Sequence, residues 1–169
     1  MTPEFSRLID IRGLPDGVLT LAADAGERVA LAKRIGVEAI ERFEAEISLV
    51  RGGSTIDVTG RIAADVIQMC AISNEPFATT VDEPLALRFV PETAPSAAEI
   101  ELEIDSEASD EIPYTGTQFD LGEELAQSLA LAIDPYATGP DAERVRQGAG
   151  LGNAANSGPF AALAALRPN

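Results

Sequence analysis

Ile56, Val58, Gly60, Ile62, Ala64 and Val66 alternate with Thr55, Asp57, Thr59, Arg61, Ala63 and Asp65. Successive side chains of a strand point to opposite faces, so this run predicts a half-buried strand over residues 54–69. Gly60 in its middle predicts a bulge or bend, as in a curved sheet. Just upstream two periods compete. Ile40, Phe43, Ile47 and Val50 fit a helical stripe, whereas Phe43, Ala45, Ile47 and Leu49 fit a strand. We favour a strand from about Phe43, with Gly52-Gly53 joining it to the next run as a tight hairpin. After Ser73-Asn74-Glu75-Pro76 the chain turns back. Phe77, Thr79 and Val81 make one alternating piece, and Leu85, Leu87 and Phe89 make another beyond Pro84. Successive strands joined by short turns read as an antiparallel meander.

Helices are announced by their ends. Asp24 with Glu27 forms a capping box ahead of Val29, Leu31, Ala32 and Ile35, and Lys33, Arg34 and Gly36 close that helix. The stretch from Asp110 to Tyr136 carries the clearest amphipathic pattern. Asp120 and Glu123 cap it, Leu121, Leu125, Leu129, Ala132 and Ile133 share one stripe, and Asp134-Pro135 ends it. Short strands are expected over Phe5 to Ile11, over Val18 to Leu21 and around Ile112 and Tyr114. Residues 92–109 read as an acidic mobile loop, within which Ile100, Leu102 and Ile104 suggest a charged edge strand. Residues 137–158 read as an irregular tail segment. A short helix then opens near Pro159 and must bury Phe160, Leu163 and Leu166. The expected class is α+β in one domain spanning residues 1–169. It is a curved antiparallel β-sheet or partly open barrel-like meander, packed with two main helices and a short C-terminal helix.

Composition narrows the chemistry. The 169 residues include no histidine, a single cysteine and a single lysine, Lys33. A histidine triad, a histidine base and a four-cysteine zinc site are therefore excluded. Neither a phosphate-binding Gly-rich loop nor a calcium loop of the D-x-[DN]-x-[DN]-G kind is present. No cofactor is expected. The adjacent Glu123 and Glu124 point differently on a helix and make a poor acid/base pair, although a magnesium nuclease built from carboxylates stays open. With neither a long apolar run nor a secretory leader, and with Cys70 unable to pair internally, the expected compartment is the cytoplasm, with no membrane. Cys70 ends an apolar strand, where a small buried hydrophobe is expected rather than a reactive thiol.

The net charge of −16 is unevenly spread. Residues 1–90 hold 14 acidic and 9 basic residues, residues 91–136 hold 12 acidic and none basic, and residues 137–169 hold 2 and 3. The middle block repels phosphate and suits a basic protein surface. Any RNA contact then falls to Arg7, Arg12, Arg28, Lys33, Arg34, Arg42, Arg51, Arg61 and Arg88, which form no cluster in sequence. Asp110, Glu111, Asp134, Pro135 and Tyr136 are the candidate partner surface.

Three stretches carry a family resemblance: Cys70 to Phe77 with Val81 to Pro91, Asp110 to Tyr136, and Pro159 to Leu166. Together they resemble the YceD family, linked to accumulation of large-subunit (23S) ribosomal RNA. The resemblance implies a non-enzymatic ribosome-biogenesis factor acting on large-subunit rRNA or on a protein that assembles with it. The alternative is an acidic interaction module or chaperone for a basic ribosomal protein, without direct RNA contact. Many members have a second cysteine soon after the one matching Cys70 and a cysteine-rich segment past the Asp-Pro position. Here Ser73 stands near the first, and residues 137–158 contain no cysteine. Metal binding therefore does not carry over.

Overall fold

The computed structural model describes residues 3–92 and 110–149. Its centre is a five-stranded sheet in the order β2-β3-β4-β5-β6, with β2 at Val18–Ala22, β3 at Ala39–Gly52, β4 at Thr55–Met69, β5 at Pro76–Pro91 and β6 at Asp110–Tyr114. β2 to β5 are antiparallel neighbours, so the expected meander is present, and the sheet does not close into a barrel. A second, two-stranded sheet pairs β1 (Leu8–Asp10) antiparallel with β7 (Gln118–Asp120). Helices α1 (Ala25–Ile35) and α2 (Leu121–Ala132) complete an α+β fold with a short α3 (Ala142–Gly148).

The competing periods around Ile40 have a structural origin. The register of β3 on β4 shifts between Ile40 and Arg42, so Ile40 and Phe43, three residues apart, both enter the core. A bulge thus reproduces a helix-like spacing within a strand that begins four residues before Phe43. Gly60, where the bulge was expected, keeps its register opposite Ile47 and Leu85. It serves a close strand approach instead. A Cβ there would run into the Glu46 carbonyl and come 2.7 Å from the Ile47 Cα. At Gly53, φ is 70°, the left-handed conformation that its tight turn requires.

β5 is one strand rather than two pieces. Pro84 lies within it opposite Arg61, on the portion that β6 leaves uncovered, where a missing N–H costs no ladder bond. β6 runs parallel to β5, not as a further antiparallel hairpin, with Leu87 opposite Asp110 and Pro91 opposite Tyr114. The Tyr114 hydroxyl donates to the Ser54 carbonyl at 2.7 Å and ties β6 to the β3–β4 turn.

Both helices start at their expected N-cap aspartates, but the reciprocal box forms only in α1, because the Glu123 carboxylate of α2 pairs with Arg34. In α1 the reciprocal capping box of Asp24 and Glu27 is complete, and Gly36 ends the helix at φ 86°. Leu31 and Ala32 are buried, whereas Val29, placed on the same stripe by its sequence, is 72% exposed at the rim of a groove. In α2, Leu121, Leu125 and Leu129 are fully buried, and Ala132 and Ile133 pack beside them. The Asp120 carboxylate accepts from Glu123 N at 3.3 Å, from Arg7 N at 2.8 Å and from Ser6 Oγ at 2.6 Å. It therefore caps α2 and anchors the N-terminal segment together. Within the same core, Phe5 against Phe43 ties the N-terminal segment to β3, and Phe89 stacked on Phe119 at 4.0 Å ties β5 to β7.

The stretch expected to be irregular contains α3. Ala142 is buried, and Asp141–Arg144 and Glu143–Arg146 ion pairs three residues apart support this short helix. Residues 93–109, with the expected acidic loop and the Ile100–Leu102–Ile104 strand, and the helix expected near Pro159 lie outside the described residues.

Candidate functional site

Most of the described cations are committed to internal partners. On the outward face of the sheet, cross-strand pairing sets Arg42 against Asp65 at 2.7 Å, Arg88 against Asp57 at 2.6 Å and Arg61 against Asp82. Arg42 also reaches Glu44 at 3.3 Å. Elsewhere Arg7 clasps both carboxylate oxygens of Glu27 at 2.7 and 2.8 Å, donates to the Ser6 and Ala22 carbonyls, and stacks 4.2 Å over Phe5. Arg34 bridges Glu4 and Glu123. Arg12 folds onto Asp10, whose carboxyl it holds at about 2. Arg51 donates to the Gly53 carbonyl and Arg28 to that of Ala23. Among the described residues Arg28, Lys33 and Arg51 take part in no ion pair.

The candidate RNA contacts are therefore dispersed. Arg42, Arg61 and Arg88 share the outer sheet face, where Glu44, Glu46 and Glu111 add acid beyond the three arginine–aspartate pairs. Arg7 and Arg34 act as staples between elements. Arg28 and Lys33 flank the exposed Val29 along a groove of about 310 Å³ between α1 and the start of β3. This groove is where the described cations outside ion pairs come closest together.

The candidate partner residues fall at opposite ends of β5. Glu111 is exposed on β6 opposite Arg88, and Asp110 lies beside it in the strand. Asp134, Pro135 and Tyr136 follow α2, in a segment whose Ala137 carbonyl accepts from Ala71 N and whose Gly139 abuts Phe77. Arg88 lies eleven positions beyond Phe77, on the order of 35 Å along β5. Asp134 itself forms a turn, its carboxylate accepting from Tyr136 N at 2.8 Å, which explains an acid at a helix C-terminus. Tyr136 is 80% exposed.

Cys70, just past the end of β4, is buried, as its position at the end of an apolar strand predicts, yet its sulfur is not merely apolar filler. Ile72 N and Ser73 N donate to Sγ at 3.4 and 3.3 Å. The Ser73 side chain, with the Ser73, Ile72 and Gly139 amides, lowers the thiol to about 7.

Sequence reasoning missed the groove between α2 and β5, lined by Glu83, Leu85, Leu87, Ser128 and Leu131. One signal was available: Leu131 lies off the Leu121–Leu125–Leu129 stripe, and a leucine there faces outward. Glu124, one turn before Ser128, is half-buried. Burial first, then the charges of Glu123 and Asp120, raise its carboxyl above the ordinary range.

Fold and surface together define an acidic α+β protein whose described arginines bond to its own carboxylates and carbonyls. The chain belongs to the YceD family, described as large ribosomal RNA subunit accumulation protein YceD, whose model matches residues 58–167. The family is associated with accumulation of large-subunit ribosomal RNA. The match begins within β4, so β1, β2, α1 and β3 precede it. No curated protein and no solved structure matches the chain.

Proposed function

We propose that this chain is a non-enzymatic factor that supports large-subunit assembly by holding a basic ribosome-assembly protein rather than by gripping rRNA. The observation that carries this reading is the ion pairing of Arg7, Arg12, Arg34, Arg42, Arg61 and Arg88 with the chain's own carboxylates. Phosphate binding needs cations that can exchange counterions for phosphates, and a cation already neutralised by a neighbouring carboxylate contributes little. The surplus acid suits a basic polypeptide and speeds its capture. On this reading the protein acts in the cytoplasm and influences rRNA through its partner, without a cofactor.

A second reading keeps direct RNA contact, through Arg28 and Lys33 beside the α1–β3 groove. Two experiments separate the readings. Tagged protein recovered from its own cells is expected to bring down basic ribosomal proteins, and the complex is expected to persist after ribonuclease treatment. Titration against 23S rRNA fragments over a salt series is expected to show no binding. Salt-dependent RNA binding lost in an Arg28→Glu, Lys33→Glu variant would establish the second reading instead.

A further inference from the structure

β6 covers residues 87–91 of β5 and starts opposite Leu87, so residues 76–86 have a strand partner on the β4 side only, among the described residues. Such an edge presents main-chain N–H and C=O groups able to pair with another strand. α2 runs beside it. Glu124, Ser128 and Leu131, at positions i, i+4 and i+7, form one stripe facing the strand, and Ser128 and Leu131 wall a groove of about 450 Å³ above Leu85 and Leu87. Leu131 is 87% exposed. The charged groups near the groove are acidic. Glu83 lines the groove, and Glu124 stands one turn before Ser128 on the helix. The nearby cation, Arg61, is held by Asp82 on the outer face. Glu83 and Glu124 form no ion pair among the described residues, and partial burial of Glu124 raises the cost of its charge.

We propose that the open edge of β5 takes up an extended segment of a basic protein as an added strand. Alternate side chains of that segment would enter the groove, apolar ones covering Leu131 and Leu85, and lysines or arginines reaching Glu83 and Glu124. Main-chain bonds supply affinity and the alternation supplies selectivity. Pro84 removes one donor from the open side, and the next donors on that side are the N–H groups of Asp82 and Ala86. A second copy of this chain is disfavoured, since pairing two such edges brings Asp82 and Glu83 against like charges. RNA is disfavoured by the same acids. The inference rests on the proposed function and adds the surface and the mode of binding.

The test uses the full chain, isotopically labelled, with a short synthetic peptide alternating lysine and valine as probe and its glutamate–valine counterpart as control. Lysine peptide is expected to slow exchange of alternate amides within residues 76–86. The variant Glu83→Lys, Leu131→Glu changes two exposed side chains and is expected to bind it about tenfold more weakly, with core resonances unmoved. Protection elsewhere, equal binding of the glutamate peptide, or protection by an RNA oligonucleotide overturns the proposal. So do edge amides that in the free chain are already as protected as those of β4. In cells, recovery of a basic partner by wild type and variant alike removes this site and leaves the proposed function standing. Failure of wild type to recover any basic partner removes the function itself.

Discussion

Arg34 on α1 grips both carboxylate oxygens of Glu123 on α2, at 2.9 and 2.6 Å, across 89 residues of sequence. A charge that could have faced phosphate instead joins the two helices. It also draws Glu123 away from the reciprocal cap that its spacing from Asp120 suggested.

Removing that grip has a pH signature. Arg34 lowers the Glu123 carboxyl from its ordinary value of 4.5, against the opposing effect of burial. A lowered carboxylate contributes stability in full above its unfolded value and loses it as pH falls through the folded one. Arg34→Ala is expected to cost about 1 kcal/mol in urea denaturation well above pH 4.5, and less in acid below it.

Two glycines are fixed by close backbone approach. At Gly122 a Cβ would stand 2.6 Å from the Phe5 carbonyl oxygen and 2.7 Å from Arg7 N, and Gly60 is crowded by β3 in the same way. Backbone cannot swing aside as a flexible side chain does. Gly60→Ala and Gly122→Ala are each expected to destabilise by about 3 kcal/mol, while Gly13→Ala, with open space around it, stays within about 0.5 kcal/mol by denaturant midpoint.

Amides and a hydroxyl directed at sulfur stabilise the Cys70 thiolate. Thiolate absorbance of the folded chain is expected to rise with a midpoint of about 7, moving up toward 9.0 on unfolding. Ser73→Ala, which removes the leading cause, is expected to raise the folded midpoint. An unchanged midpoint would show that the Ser73 hydroxyl does not act on the sulfur.

Glu124 has the opposite sign from Glu123. Its carboxyl is raised, so the group favours the folded state below the unfolded pKa and loses that contribution as pH rises through the folded one. Glu124→Gln is expected to stabilise the chain at neutral pH by about 0.5 kcal/mol, a modest gain because solvent screens a partly exposed carboxylate. The gain is expected to fade in acid, which thermal melts across pH would show.

Much of the architecture was legible from local pattern. The alternation of Ile56, Val58, Ile62, Ala64 and Val66 marked β4, and Asp24, Glu27 and Gly36 marked both ends of α1. Ile40 and Phe43 misled because a bulge gives two inward-facing residues the spacing of a helix. Pro84 misled because a proline interrupts a strand paired on both sides, whereas β6 pairs with residues 87–91 of β5 and not with Pro84, and that pairing is invisible to a local reading. The candidate site was less legible. Arg61 and Arg88 looked available in sequence, while their partners Asp82 and Asp57 lie 21 and 31 residues away.

By itself the sequence determined the strand and helix periods, the caps, the acidic balance and the exclusion of histidine chemistry. Each of these depends on residue type or on neighbours within a few positions. Only the tertiary structure decided the parallel placement of β6, its pairing with residues 87–91 alone of β5, and the partners of the described arginines. Those depend on which distant segments the core brings together, and a charge becomes available or engaged only when its neighbour across space is known.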